Sequence, residues 1–147
     1  MLANLTALPM VIEPQGVSIR WPLSFERAAV ERFVAEHFAA TWADEINPGL
    51  SRMPPTVFVA VREGKIVGFA GWDCTARGFF GPTGVAESER GNGIGKALLL
   101  SSLWRMRNDG YAYAVIGGIG PADFYTHTVG AFVIPDSDPG IYRDMLT

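Results

Sequence analysis

Apolar residues recur along this chain in two rhythms, and the alternation between them marks out a succession of short strands and helices. Val17, Ile19 and Trp21 alternate with Ser18 and Arg20, the period of a half-buried strand, and Pro22 ends the run. Beyond Ser24, a suitable N-cap, Phe25, Ala29, Val30, Phe33, Val34 and Phe38 fall at helical spacing and predict an amphipathic helix over roughly 24–40. A shorter helix is expected around 41–46, whereas 47–55, with three prolines and a glycine, reads as a loop.

Two β-rich runs, 56–61 and 66–72, are joined by Glu63-Gly64-Lys65, a hairpin turn with glycine available for positive φ. A third strand is expected over 78–85. Residues 93–107 carry the strongest helical pattern, with Leu98, Leu99, Leu103 and Met106 on one side and Asn108-Asp109-Gly110 closing it. A strand at 113–116 and a helix over 121–129, opened by Pro121, follow. Two short strands, 132–134 and 141–146, are expected around a Pro-Asp-Ser-Asp-Pro-Gly turn.

A meander followed by strand–helix crossovers predicts an α/β (α+β) fold: a mixed, mostly antiparallel central sheet with helices on both faces. No repeat or linker divides the chain, so one domain over 16–147 is expected. Residues 1–15 read as an N-terminal arm with one helical turn through Leu2, Leu5 and Leu8.

Composition narrows the chemistry. With 15 acidic and 12 basic residues among 147, the net charge of −3 leaves no spread basic surface for nucleic acid or an anionic membrane. Any anion must therefore be held locally. No run approaches the ~18 apolar residues of a membrane span, and residues 1–12, interrupted by Pro9, lack the basic start of a signal peptide. Cys74, the single cysteine, forms no internal disulfide and supplies no thiolate zinc site alone, so a reducing cytoplasm is the expected setting.

The 17 glycines, about 12% of the chain, concentrate the argument on Arg90-Gly91-Asn92-Gly93-Ile94-Gly95-Lys96, between a strand and a helix. Alternating glycines let the main chain approach a ligand with its N–H groups inward, and the helix N-terminus adds partial positive charge. A P-loop reading fails, because Arg90 stands where glycine is needed and Ala97 where Ser or Thr is needed. A dinucleotide fingerprint fails at Lys96 or at Leu98, depending on its start. On spacing alone, a glycine-rich turn that binds nothing stands as the alternative.

Val85 followed by Arg90-x-x-Gly93-x-Gly95 and a leucine-rich helix resembles the acetyl-coenzyme A loop of the GNAT superfamily of N-acetyltransferases. The matching element order extends the resemblance over about 16–147. It implies that acetyl-CoA is the co-substrate, that Val85 offers main-chain contacts to the pantetheine, and that Arg90, Gly91, Asn92, Gly93, Ile94, Gly95 and Lys96 surround the pyrophosphate. Phe124-Tyr125 matches the aromatic-tyrosine pair of that family, and Tyr125 is the implied proton donor to the departing thiolate. Three departures stand out: Gly118 replaces a frequent asparagine, the interval from Tyr125 to Gly130 is one residue longer, and Ala131 replaces an aromatic residue.

An attacking amine must be neutral, and a carboxylate acting directly or through water could remove its proton. Asp73 is the first choice for that base, with Glu45 and Glu87 as rivals and salt-bridged surface roles as the alternative for each. Phe38, Trp42 and Glu45 are candidates for the acceptor pocket, although an aromatic stripe also suits a core. Residues 135–142 are explained by turn chemistry and could also rim that pocket. His37 and His127 lack the spacing of a metal site, and no metal is expected. Cys74 has no activating histidine and is not expected to be a nucleophile.

The expected activity is direct acetyl transfer in a ternary complex to a primary amine of a small molecule, since no acidic or basic run marks a groove for a long peptide. The alternatives are a protein or peptide acetyltransferase and a non-catalytic acyl-CoA sensor. A homodimer is compatible with the sequence.

Overall fold

The computed structural model describes residues 1–146; Thr147, the last residue of the expected domain, lies outside the described residues. Among the described residues are six strands, β1 (Leu2–Asn4), β2 (Ser18–Arg20), β3 (Val57–Arg62), β4 (Lys65–Trp72), β5 (Phe79–Val85) and β6 (Tyr113–Ile116). Four helices accompany them: α1 (Arg27–His37), α2 (Ala40–Leu50), α3 (Ile94–Asn108) and α4 (Ala122–Val129).

The strands form one sheet in the order β1-β6-β5-β4-β3-β2, antiparallel throughout except for the parallel β5–β6 pair. The β3–β4 turn places Glu63 and Gly64 at φ 50° and 74°, the left-handed pair that matches the twist of a two-residue hairpin. Joining β5 to a parallel neighbour requires a crossover, which α3 supplies.

Helices cover both faces. Leu98, Leu103 and Met106 of α3 are fully buried in one cluster with Ala60 and Trp72, while Val30, Val34 and Ile46 from α1 and α2 pack with Val57, Val59 and Phe69 in a second. Each fully buried side chain of this kind contributes roughly 1.5–3 kcal/mol. The buried Ser102 hydroxyl donates to the Leu98 carbonyl at 2.8 Å, which satisfies it without a partner outside its own helix.

The chain ends differ from the sequence pattern. Residues 2–4, expected in a helical turn, form an edge strand, and a 3-10 turn follows at Leu5–Ala7. The reason is burial: Ala3 and Leu5 both sit at 0% exposure, and every other residue points into the core, as a strand requires. At the other end the two expected short strands do not form. Phe132 makes one bridge to Leu2, with N–H to carbonyl distances of 2.8 and 3.1 Å, and Gly140–Tyr142 is a 3-10 turn. β1 occupies the place beside β6, and beyond that single bridge the segment turns through 135–142 without pairing further.

Two helix boundaries also move. Ser24 does not cap α1; it opens a 3-10 turn, Ser24–Glu26, whose Glu26 carboxylate accepts from the Leu23 N–H at 2.8 Å and from the Arg20 guanidinium at 2.7 and 2.8 Å. α2 runs through Pro48 to Leu50, so the first part of the expected loop is helical. Proline deprives that turn of one backbone bond, and side chains tie it down instead: Asn47 donates to Glu31 at 2.9 Å, and Arg27 bonds both Asn47 and Ser51.

The feature that positions the site is the brevity of the β5–β6 pairing. Only Phe79↔Val115 and Phe80↔Ile116 are in register, after which β6 ends and the chain turns through 117–121 into α4. The remainder of β5 keeps β4 on one side and an open edge on the other.

Candidate active site

The cleft between the parting strands holds two cavities. The larger, about 680 Å³, is lined by Val85 at the end of β5, by the loop into α3 and by Phe124 and Tyr125 of α4. The smaller, about 250 Å³, is lined by Glu45, Thr75, Gly117 and Tyr142, among others. Both are lined by Trp42, Thr83, Pro121 and Tyr125, so these four residues mark the junction.

The loop forms a backbone cradle. Gly91 and Gly93 adopt φ 81° and 80°, a conformation side chains rarely take, and the space beside Gly91 where a Cβ would project is empty to 4 Å. The first helical N–H with a partner is that of Ala97, which donates to the Gly93 carbonyl at 3.0 Å. The amides of Ile94, Gly95 and Lys96 therefore lack partners within their own helix and open onto the larger cavity, with the positive end of the helix behind them. An anionic diphosphate fits this donor set. Arg90 reaches back to donate from Nε to the Val85 carbonyl at 3.1 Å, and the Asn92 side chain donates to the Glu89 carbonyl at 3.3 Å.

Tyr125 is 7% exposed, with its ring edge-on to Phe124 at 5.1 Å and to Phe80 at 6.4 Å. Burial raises its pKa, so the phenol keeps its proton at neutral pH. Phe38 stacks on Trp42 at 5.6 Å and covers the backbone of Gly84, where a side chain would collide with its ring. Phe38 thus borders the larger cavity, Glu45 the smaller, and Trp42 both.

The structure separates the carboxylates proposed as bases. Glu45 faces the smaller cavity and accepts a hydrogen bond from the Thr75 hydroxyl. Asp73 is held elsewhere: its carboxylate accepts from the Gly78 N–H at 2.6 Å and from the Tyr111 hydroxyl at 2.9 and 3.0 Å, and Arg52 lies 3.7 Å away. That network ties down the turn between β4 and β5, where Asp73 itself has φ 53°. Glu87 sits in the 3-10 turn Glu87–Glu89 after β5. His37 packs against Phe33 at 4.5 Å, and His127 bonds the Asp123 carbonyl of its own helix at 2.8 Å. Burial pushes the Cys74 thiol up to about 11, which leaves it protonated and a poor nucleophile at neutral pH.

Thr75, Phe79 and Tyr142 complete the smaller cavity. The first two carry no distinctive spacing, and the only signal for Tyr142 was the turn-rich segment that precedes it.

A mixed sheet that parts between two parallel strands, with a glycine cradle and a helix N-terminus at the opening, defines the acyl-coenzyme A N-acyltransferase fold. The chain belongs to the acetyltransferase (GNAT) family, which it matches over residues 20–126. Its fold is similar to that of a GCN5-related N-acetyltransferase from Sphaerobacter thermophilus, with a TM-score of 0.70 and 23% identity over 86% of this chain and 45% of that one. A GNAT family acetyltransferase from Brucella melitensis, in complex with acetyl-CoA, has a TM-score of 0.61 and 19% identity over 76% of this chain and 80% of its own. The aminoglycoside acetyltransferase meta-AAC0020 from an uncultured soil sample, in complex with sisomicin, gives 0.60 and 17% identity over 81% and 91%. At these identities the likeness is one of fold. The chain spans less than half the length of the Sphaerobacter protein. No curated protein matches it in sequence.

Proposed function

We propose that this chain is an acetyl-CoA-dependent N-acetyltransferase that moves the acetyl group directly to a primary amine of a small molecule in a ternary complex. The observation that carries this reading is the position of Tyr125, buried and protonated at the junction of a cavity built for an anion and a cavity that presents a carboxylate. The acetyl-CoA bound to the Brucella relative and the aminoglycoside bound to the soil-sample enzyme support the same assignment of co-substrate and acceptor type.

Bound acetyl-CoA would supply an activated acyl thioester. The amides of 91–96 and the N-terminus of α3 hold its diphosphate, and the open edge of β5 at Val85 runs beside its pantetheine arm. Glu45 takes the place first given to Asp73: it accepts a proton from the amine, directly or through water, as the nitrogen bonds the acyl carbon. Tyr125 donates its proton to the sulfur as the carbon–sulfur bond breaks.

Acetyl-CoA is expected to raise the melting temperature where NAD and ATP do not, and amine-dependent release of free thiol should follow. Tyr125→Phe is expected to lower turnover by about 10²-fold or more while leaving coenzyme affinity nearly intact. Unchanged turnover in that variant removes Tyr125 from the chemistry, and indifference of the melting temperature to acetyl-CoA removes the co-substrate.

A further inference from the structure

Behind the smaller cavity lies a third one of about 560 Å³, lined mostly by apolar side chains such as Val115, Ile119, Val133 and Ile141, with Ser137 and Asp138 also on its wall. Phe79, Ile116, Gly117, Gly118 and Tyr142 border both spaces, so the Tyr142 side chain stands on the boundary between them. Its hydroxyl lies 2.5 Å from where a Cβ on Gly117 would be and 3.6 Å from the corresponding point on Gly118. The ring therefore rests on bare backbone, in a space that any larger residue at 117 would claim. Tyr142 follows the stretch matched to the family, so its role rests on this chain's own geometry.

The lining of the smaller cavity states what may enter no less clearly. Glu45 is its only charged side chain, and the remainder is aromatic, aliphatic, glycine, proline or hydroxyl-bearing. An ammonium group meets a carboxylate and the rings of Trp42 and Tyr142, a favourable setting for a cation. A carboxylate on the same molecule would meet no cation and would lose its hydration without compensation. At about 250 Å³ the space lies just below the usual ~300–1,000 Å³ of ligand pockets.

We propose that Tyr142 is a specificity-determining residue, a wall between the acceptor cavity and the mostly apolar cavity behind it, which restricts acceptors to compact amines with an apolar body and no acidic group. This rests on the acceptor assignment above, and it is tested by binding so that the two can fail separately. Calorimetric titrations of the CoA-saturated protein would use phenethylamine, phenylalanine, 4-phenylbutylamine and sisomicin. Phenethylamine should bind at least tenfold more tightly than each of the others. Tyr142→Ala should erase the gap for 4-phenylbutylamine while leaving phenylalanine rejected, because Glu45 is still present. Tyr142→Phe should behave as the parent, and Gly117→Ala, which displaces the hydroxyl by crowding alone, should loosen the size limit without removing the ring.

Equal or tighter binding of phenylalanine or sisomicin overturns the proposal. So does an unchanged size limit in both Tyr142→Ala and Gly117→Ala, or the absence of binding by any amine. Selective binding without thiol release from acetyl-CoA would instead overturn the transferase reading and leave the wall in place.

Discussion

Gly91 acts through the side chain it lacks. Its φ of 81° and the empty space beside it leave room for an anion to approach the backbone, and a branched residue would both strain the turn and fill that space. Gly91→Val is therefore expected to abolish the rise in melting temperature caused by acetyl-CoA. Gly110→Val provides the control, since φ is 102° there with equally open surroundings at the far end of α3. It should lower stability and keep the coenzyme response, and a retained response in Gly91→Val would move the diphosphate elsewhere. Residue spacing made this turn readable because its geometry is local: alternating glycines between a strand and a helix already contain the amides they present. Which carboxylate faces the cleft was not readable in the same way. Asp73 and Glu45 look alike along the chain, and only the positive φ of Asp73 and its bonds to Gly78 and Tyr111 turn it away from the cleft.

At the scale of elements, the β3–β4 hairpin and α3 were legible because each is specified by its own residues, a left-handed turn in one case and a buried leucine stripe in the other. β1 was not, since three residues carry too little periodicity to distinguish a strand from a helical turn, and its partner β6 lies more than a hundred residues further along the chain. Its importance can be measured at Leu5, fully buried just beyond it. Leu5→Ala is expected to cost about 2–5 kcal/mol in denaturant unfolding, the range for a leucine removed from a packed core. A loss below about 1 kcal/mol would mean that this segment rests on the sheet without being packed into it.

The junction of β2 and α1 makes the stability of the whole molecule depend on pH in the acid range. The Arg20 guanidinium and the Leu23 N–H hold the Glu26 carboxyl down to about 2, against an ordinary value of 4.5. A carboxyl lowered in the folded state adds stability that is complete above the ordinary value and is lost as pH falls from 4.5 towards 2. The melting temperature of Glu26→Gln should therefore lie below that of the parent at pH 7, and the two should converge as pH approaches 2. A gap that stayed constant across that window would assign the contribution to packing.

The pairing of β1 with β6 also bears on the order in which the molecule comes into being. Ala3 is opposite Ala114, so β1 has no partner in the sheet until residues more than a hundred positions further along have been made. The β3–β5 meander and α3 can gather first, through contacts between near neighbours. The edge of the sheet closes only afterwards, and such long-range closure slows folding while leaving strand edges exposed. Until then the uncovered edge of β6 is open to the wrong partner, so crowding and rapid synthesis endanger this protein most during that interval.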